Sequence, residues 1–230
     1  MQLTIFNGSP RGKGGNTAVI LEHFLKGFVE TPGNGSDIIY LSKAKEPATL
    51  SSAFFKTEAA LVAFPLYVDS MPAKVKDFFE MLEPLCDRGE NPAIMFLIQS
   101  GFQEAVHLRF LERYLEKLSK RLKCRYLGTI VKGGSEKGGF VSIRNMPNSR
   151  LFKTTLQRVY EIGRSFGASG ALDTDILAQL AVPERFSSTT VFMLKIFQRL
   201  GVFDTSWNKQ LKANGAYERR FDTPYQKESA

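Results

Sequence analysis

The sequence predicts a doubly wound α/β fold, a five-stranded parallel sheet with helices on both faces. Three observations carry this. Strand-like segments alternate with segments of helical period from residue 2 to about residue 166. Two runs, AALVAF (59–64) and PAIMFLI (92–98), are apolar without interruption, the pattern of strands buried on both faces. The first strand passes directly into IFNGSPRGKGGNT (5–17), a loop rich in glycine, serine and asparagine that opens a helix.

The elements follow in order. QLTIF (2–6) reads as the first strand, and Thr17 to Gly27 as a helix with Leu21, Phe24, Leu25 and Phe28 on one face. TPGNGS (31–36) is a loop, DIIYL (37–41) the second strand, and 49–57 a helical stretch. The third strand, 59–64, is broken by PLYVDSMP (65–72). Val75, Phe78, Phe79 and Leu82 then recur at helical spacing, with Ser70 expected as N-cap and Pro72 in the first turn. After the fourth strand (92–98) comes QSGFQ (99–103), then a long helix with a stripe of Leu108, Leu111, Leu115, Leu118 and Leu122. That stripe suits either a helix packed on the sheet or a seam with a second subunit. YLGTIV (126–131) is the fifth strand and 151–166 the fifth helix.

The alternation then stops. Two regions are expected: a domain over 1–168 and a C-terminal extension over 169–230. Within the extension, VFMLKIFQRLGVF (191–203) is apolar with Lys195 and Arg199 inserted. It is expected to form an amphipathic helix packed on the domain or on a partner subunit, with a membrane-surface helix as the alternative.

Composition narrows the class of function. Of 230 residues, 43% are hydrophobic, enough for a sizeable core, yet no uncharged apolar run is long enough to span a membrane. The net charge of +8 would suit nucleic acid, an anionic membrane or phosphorylated small molecules. The densest basic groups, KLSKRLKCR (117–125) and YERRF (217–221), lack the interleaved aromatics of a base-stacking platform, so no nucleic-acid partner is expected. The two cysteines, Cys86 and Cys124, form no C-x-x-C pair, so no metal site is expected, and two thiols suit a reducing compartment such as the cytoplasm. The N-terminus shows no signal-peptide pattern. His23 and His107 read as surface or packing residues.

Residues 8–17 have the chemistry of a phosphate loop, and the spacing decides which kind. A Walker A loop ends G-K-[ST]; here Gly8 to Gly12 is one residue short and Lys13 is followed by Gly14. A dinucleotide loop needs G-x-G-x-x-G and an acid at the end of the second strand, whereas Asp37 begins it. What remains is a loop around one phosphate dianion. Ser9 and Thr17 supply hydroxyls, Asn16 an amide, Arg11 a fork of donors, and the helix its positive end.

NGSPRGKGGNT resembles the G-S-P-R-x(n)-G-N-T loop of the flavodoxin-like NAD(P)H-dependent FMN reductases and quinone reductases. FPLYVDSMPAKVKDFFE (64–80) resembles that family's second flavin loop, with its P-x-Y-x-x-S-M-P stretch, and IQSGFQEA (98–105) its third. The resemblance covers residues 1 to about 166 and implies a sheet of order 2-1-3-4-5. It implies FMN held by Ser9, Arg11, Asn16 and Thr17, by Pro65, Leu66, Tyr67, Val68 and Asp69, and by Ser100, Gly101 and Phe102. Tyr67 offers one aromatic face to the ring and Phe102 covers the other side. Backbone N–H groups of 66–69 and 100–102 are expected at the ring edge. Asp69 either bonds that edge or caps the following helix. KGGSEKGGF (132–140), with Gly133, Gly134, Gly138 and Gly139, is expected as a mobile loop after the fifth strand, a border on the substrate site being the less favoured reading. The family's activity implies hydride transfer from NADPH or NADH through FMN to a quinone, flavin or nitro- or azo-aromatic acceptor, with no residue singled out as an acid or base. It also implies a homodimer. The alternatives are a flavodoxin-type electron carrier without NAD(P)H activity, and a non-catalytic module binding anionic surfaces.

Overall fold

The computed structural model describes residues 1–43, 47–87, 91–137, 141–202 and 204–223. The main sheet is built from β1 (Gln2–Asn7), β2 (Gly35–Tyr40), β3 (Ala59–Pro65), β4 (Asn91–Gln99) and β5 (Cys124–Lys132). All neighbouring strands pair in parallel, in the order β2-β1-β3-β4-β5. The connecting helices are α1 (Asn16–Phe28), α2 (Pro47–Lys56), α3 (Ala73–Met81), α4 (Val106–Arg121) and α5 (Arg150–Ser169). Every residue of β3 is buried, which is why its sequence shows no alternation.

Strand side chains alternate between two apolar layers. Phe6, Val62 and Phe96 meet Phe54 of α2 and Val75 and Phe78 of α3 on one face. Leu3, Ile5 and Met95 meet Phe24 of α1 and Phe152 and Phe166 of α5 on the other. The leucine stripe of α4 resolves in favour of the sheet. Leu108, Leu111, Leu115 and Leu122 are buried in the first layer, leaving Phe110 and Tyr114 on the outer face.

Two local expectations change. Pro72 is itself the N-cap of α3, with no side-chain bond, so Ser70 does not cap the helix. Residues 67–70 fold instead into a tight turn, with Tyr67 and Ser70 exchanging backbone bonds of 2.9 and 3.0 Å. The domain also runs past residue 168. Helix α6 (Thr174–Leu180) is capped by Asp173 Oδ1, which accepts from the N–H groups of Asp175 and Ile176 at 3.0 Å. It carries Leu180 and Ala181 into the core. The chain then bonds the start of α4, where Ala105 N–H donates to Pro183 O at 2.9 Å and Arg109 pairs with Glu184 at 2.8 Å. The first compact unit is therefore Met1–Arg185.

The second unit, Phe186–Ala230, contains α7 (Ser188–Arg199) and α8 (Asp204–Ala213). Ser187 caps α7, its Oγ accepting from Thr190 N–H at 3.2 Å. No side chain of α7 is buried. Phe203 and residues 224–230 of the expected extension lie outside the described residues. Among the described residues no helix is long and apolar enough to cross a membrane.

Candidate functional site

The sheet reverses its winding between β1 and β3. β1 leads to α1 on one face and β3 to α3 on the other, so a crevice opens beyond their carboxyl ends. A cavity of about 180 Å³ lies there. Ser9, Arg11 and Asn16 line it from the loop after β1, Pro65, Leu66 and Tyr67 from the loop after β3, and Ser100 and Gly101 from the loop after β4. Three larger grooves, of about 300 Å³ beside α3 and α4, about 520 Å³ between α1 and β2 and about 350 Å³ beside α1 and α5, lie along helix flanks and do not gather the three loops.

Four expected residues do not line the cavity. Thr17 is fully buried, its hydroxyl accepting from Gln99 Nε2 at 3.3 Å, so it supports the loop from below. Val68 is 98% exposed, and Asp69 is exposed beside it. Phe102 is also exposed and rests on His107 with ring centroids 4.9 Å apart. Asp69 makes no cap to α3, so the capping alternative for it falls away.

The first loop is closed by local bonds. Ser9 N–H donates to Asn7 Oδ1 at 3.0 Å, Gly12 N–H to Ser9 O at 2.9 Å and Gly14 N–H to Arg11 O at 3.1 Å. Gly15 then leads into α1. A Cβ there would stand 2.7 Å from Ser9 Oγ and 3.3 Å from Arg11 Cβ, so a side chain at this position would displace Ser9 and press on Arg11. Gly15 and Asn16 both face the cavity, which brings the positive end of α1 to it. The buried Asn7 Nδ2, without a partner among the described residues, adds a donor at the base of the loop. A hydroxyl, a guanidinium and a helix N-terminus around one cavity fit a phosphate.

The backbone donors of the other two loops are fewer than expected. Leu66 N–H donates to Gln99 O, Tyr67 N–H to Ser70 O and Ser100 N–H to Lys132 O. Among the described residues the N–H groups of Val68, Asp69, Gly101 and Phe102 remain for a ligand. Ser100 Oγ donates to Phe102 O at 3.1 Å and holds the third loop.

Three lining residues were not anticipated: Gly15, Gln99 and Glu136. Gln99 had a visible signal, a polar residue ending an apolar strand. Glu136 had none. It lies in β6 (Glu136–Lys137), which pairs antiparallel with β7 (Val141–Ser142). Its Oε1 accepts from Asn16 Nδ2 at 3.2 Å, and Arg144 N–H donates to Asn16 Oδ1 at 3.3 Å. Both ends of the Asn16 amide are thus engaged by this hairpin segment. Gly133 and Gly134 each meet a local backbone requirement. A Cβ on Gly133 would meet Gln103 O at 2.7 Å, and Gly134 has a φ of +71°. Gly138 and Gly139 lie outside the described residues.

The remaining candidates are structural. His23 Nδ1 bonds Val19 O within α1. Cys86 and Cys124 pack in one layer, and burial, with Cys86 nearby, pushes the Cys124 thiol up to about 11, away from a reactive thiolate at neutral pH. Among the described residues no group of His, Cys, Asp or Glu side chains is placed to hold a metal.

No family model and no curated protein sequence matches the chain. Solved structures do. An apo NADH:FMN oxidoreductase is 16% identical, with a TM-score of 0.52 over 75% of this chain and 90% of that one. An FMN-dependent NADH-azoreductase from Bacillus anthracis, solved with FMN, is 12% identical, with a TM-score of 0.54 over 74% of this chain and all of that one. An NAD(P)H:quinone oxidoreductase from Methanothermobacter marburgensis is 17% identical, with a TM-score of 0.52 over 72% of this chain and 98% of that one. With the observed strand order, this establishes the flavodoxin-like fold.

Proposed function

We propose that this protein is an FMN-dependent NAD(P)H oxidoreductase that reduces small aromatic acceptors such as quinones, flavins, nitro- or azo-compounds. One observation supports the reading above others. Eight of the twelve residues expected from three separate loops gather on a single cavity at the switch point of a flavodoxin-like sheet. The solved neighbours with this fold include FMN-dependent and NAD(P)H-dependent oxidoreductases.

When bound, FMN would supply the two-electron chemistry between nicotinamide and acceptor. The chain supplies position. Arg11, Ser9 and the first turn of α1 would hold the phosphate. Tyr67 offers an aromatic face, and the backbone N–H groups of Val68, Asp69, Gly101 and Phe102 offer donors to the polar ring edge. The ring would extend from the cavity over the exposed rim of Tyr67 and Phe102. An open ring face is what successive visits by donor and acceptor require. Purified protein should be yellow, and anaerobic NADPH or NADH should bleach it without a partner reductase. A yellow protein that neither nicotinamide bleaches would be an electron carrier; a colourless one would overturn the flavin assignment.

We also propose a cytoplasmic homodimer in which α7 meets a second copy. Phe192 is 63% exposed and Leu200 71% exposed, and apolar surface of this kind marks an interface. Truncation after Arg185, outside the core of the first unit, should give a monomer by light scattering. A truncated protein that stays dimeric would exclude the role of α7.

A further inference from the structure

Among the described residues Glu136 is the one carboxylate lining the cavity, and the phosphate-loop reading gives it no task. Its position is specified from both sides. Gly134 N–H donates to Phe102 O and Ser135 N–H to Ser100 O, so the chain entering β6 is laced to the loop after β4. Beyond β7, Arg144 N–H donates to Asn16 Oδ1 and Arg144 Nη1 to Gly14 O, which ties the hairpin to the loop after β1. One oxygen of Glu136 accepts from Asn16, while the other would lie 3.5 Å from a Cβ on Gly101. The carboxylate therefore reaches from the ring loop to the phosphate loop.

Resting on the flavin reading, we infer that Glu136 recognises the hydroxylated chain joining ring to phosphate, and makes the site selective for polyol-linked flavins over a bare isoalloxazine. An ionised carboxylate only accepts hydrogen bonds and has about four lone-pair directions, of which Asn16 takes one. Hydroxyl donors suit the rest. A phosphate dianion does not, because it is an acceptor of the same charge. The part of the ligand that must pass between the two loops is a run of hydroxyls, so the chemistry and the position agree. Glu136 is a specificity residue in this account, with no part in the hydride step.

The test is fluorescence titration of the flavin-free protein with FMN, with riboflavin, which lacks the phosphate, and with lumiflavin, which lacks the chain. Glu136→Ala should weaken FMN and riboflavin by a similar factor of about ten, the usual effect of losing a bond to a charged group, and leave lumiflavin unchanged. Glu136→Gln, which keeps the shape and one acceptor, should lose less. Circular dichroism melting of both variants checks the fold, and the isosteric Gln variant serves if the Ala variant does not fold. Equal loss for all three flavins would mean that Glu136 only supports the loops. Tighter FMN with unchanged riboflavin would mean that the carboxylate opposes the phosphate. Unchanged binding of all three would remove the residue from recognition. A wild-type protein that binds none of them would overturn the flavin reading itself, and this inference with it.

Discussion

The loops after β1 and β3 border the same cavity but are built in opposite ways. Residues 8–15 reach their turn through glycines: Gly12 takes a φ of +52°, and Gly15 fills a space where a methyl would strike Ser9 and Arg11. Residues 67–70 make a tighter turn with ordinary side chains at its centre. Val68 has a φ of +47° and Asp69 of +60°. Two positive φ values between paired Tyr67 and Ser70 are the hairpin geometry that asparagine and glycine normally fill. A β-branched residue there is strained, and such strain gathers at sites where a fixed shape matters more than stability. The first loop is a relaxed cradle; the second is a rigid projection that holds Val68 outward.

Breaking the cradle should have the largest effect. Gly15→Ala places a methyl 2.7 Å from Ser9 Oγ, forcing apart the groups that would hold phosphate. Stability should fall by about 1–3 kcal/mol, the usual cost of overpacking. FMN affinity should fall by more than about a hundredfold, as expected when two bonds to a charged group are lost together. An apo-protein titration in which the variant binds FMN like wild type would show that the ligand does not use this turn.

Arg11→Ala leaves the turn intact and removes its cation. A loss of about tenfold in FMN affinity is expected, with riboflavin unchanged because it has no phosphate. Equal loss for both ligands would place Arg11 elsewhere than at the phosphate.

The two loops also differ in how far the sequence reveals them. Serine, arginine, glycine and asparagine at fixed spacing after a strand announce the first, because each does a recognisable chemical task. Continuous apolar runs likewise disclose β3 and β4, whose neighbours bury them on both faces. The strain in the second loop is invisible, since Val68 has a propensity for the opposite geometry and takes this one between the paired Tyr67 and Ser70. The same turn removes Ser70 from the helix cap it was expected to form. Glu136 is hidden for another reason: the fold brings it to Asn16 across a sequence separation of 120, and no local pattern encodes that meeting. The reach of the domain past residue 168 escaped because α6 is short and buries just its end, at Leu180 and Ala181, with the rest of its apolar side half-buried.

Relieving the projection should act in the opposite direction. Val68→Gly removes a β-branched side chain from positive φ, and the unfolding free energy should rise by about 1 kcal/mol after allowing for the entropy of glycine. If stability falls or stays level in urea melts, the strain is not stored at this residue. Turnover with NAD(P)H should fall at the same time, because the rim beside Tyr67 loses both a side chain and its rigidity.

The smallest effect is expected at Asp69, and it separates a backbone role from a side-chain role. Asparagine tolerates positive φ as well as aspartate does, so Asp69→Asn leaves the turn as it is. α3 loses no cap, since Pro72 begins that helix without a side-chain bond. Stability should therefore change by less than about 0.5 kcal/mol, as for surface positions that touch nothing. If the loop meets the flavin through backbone N–H groups, FMN affinity should change by less than about twofold, well under the cost of losing a bond to a charged group. A loss of tenfold would assign the carboxylate itself to the ring edge, and the second loop would then bind by side chain as the first one does.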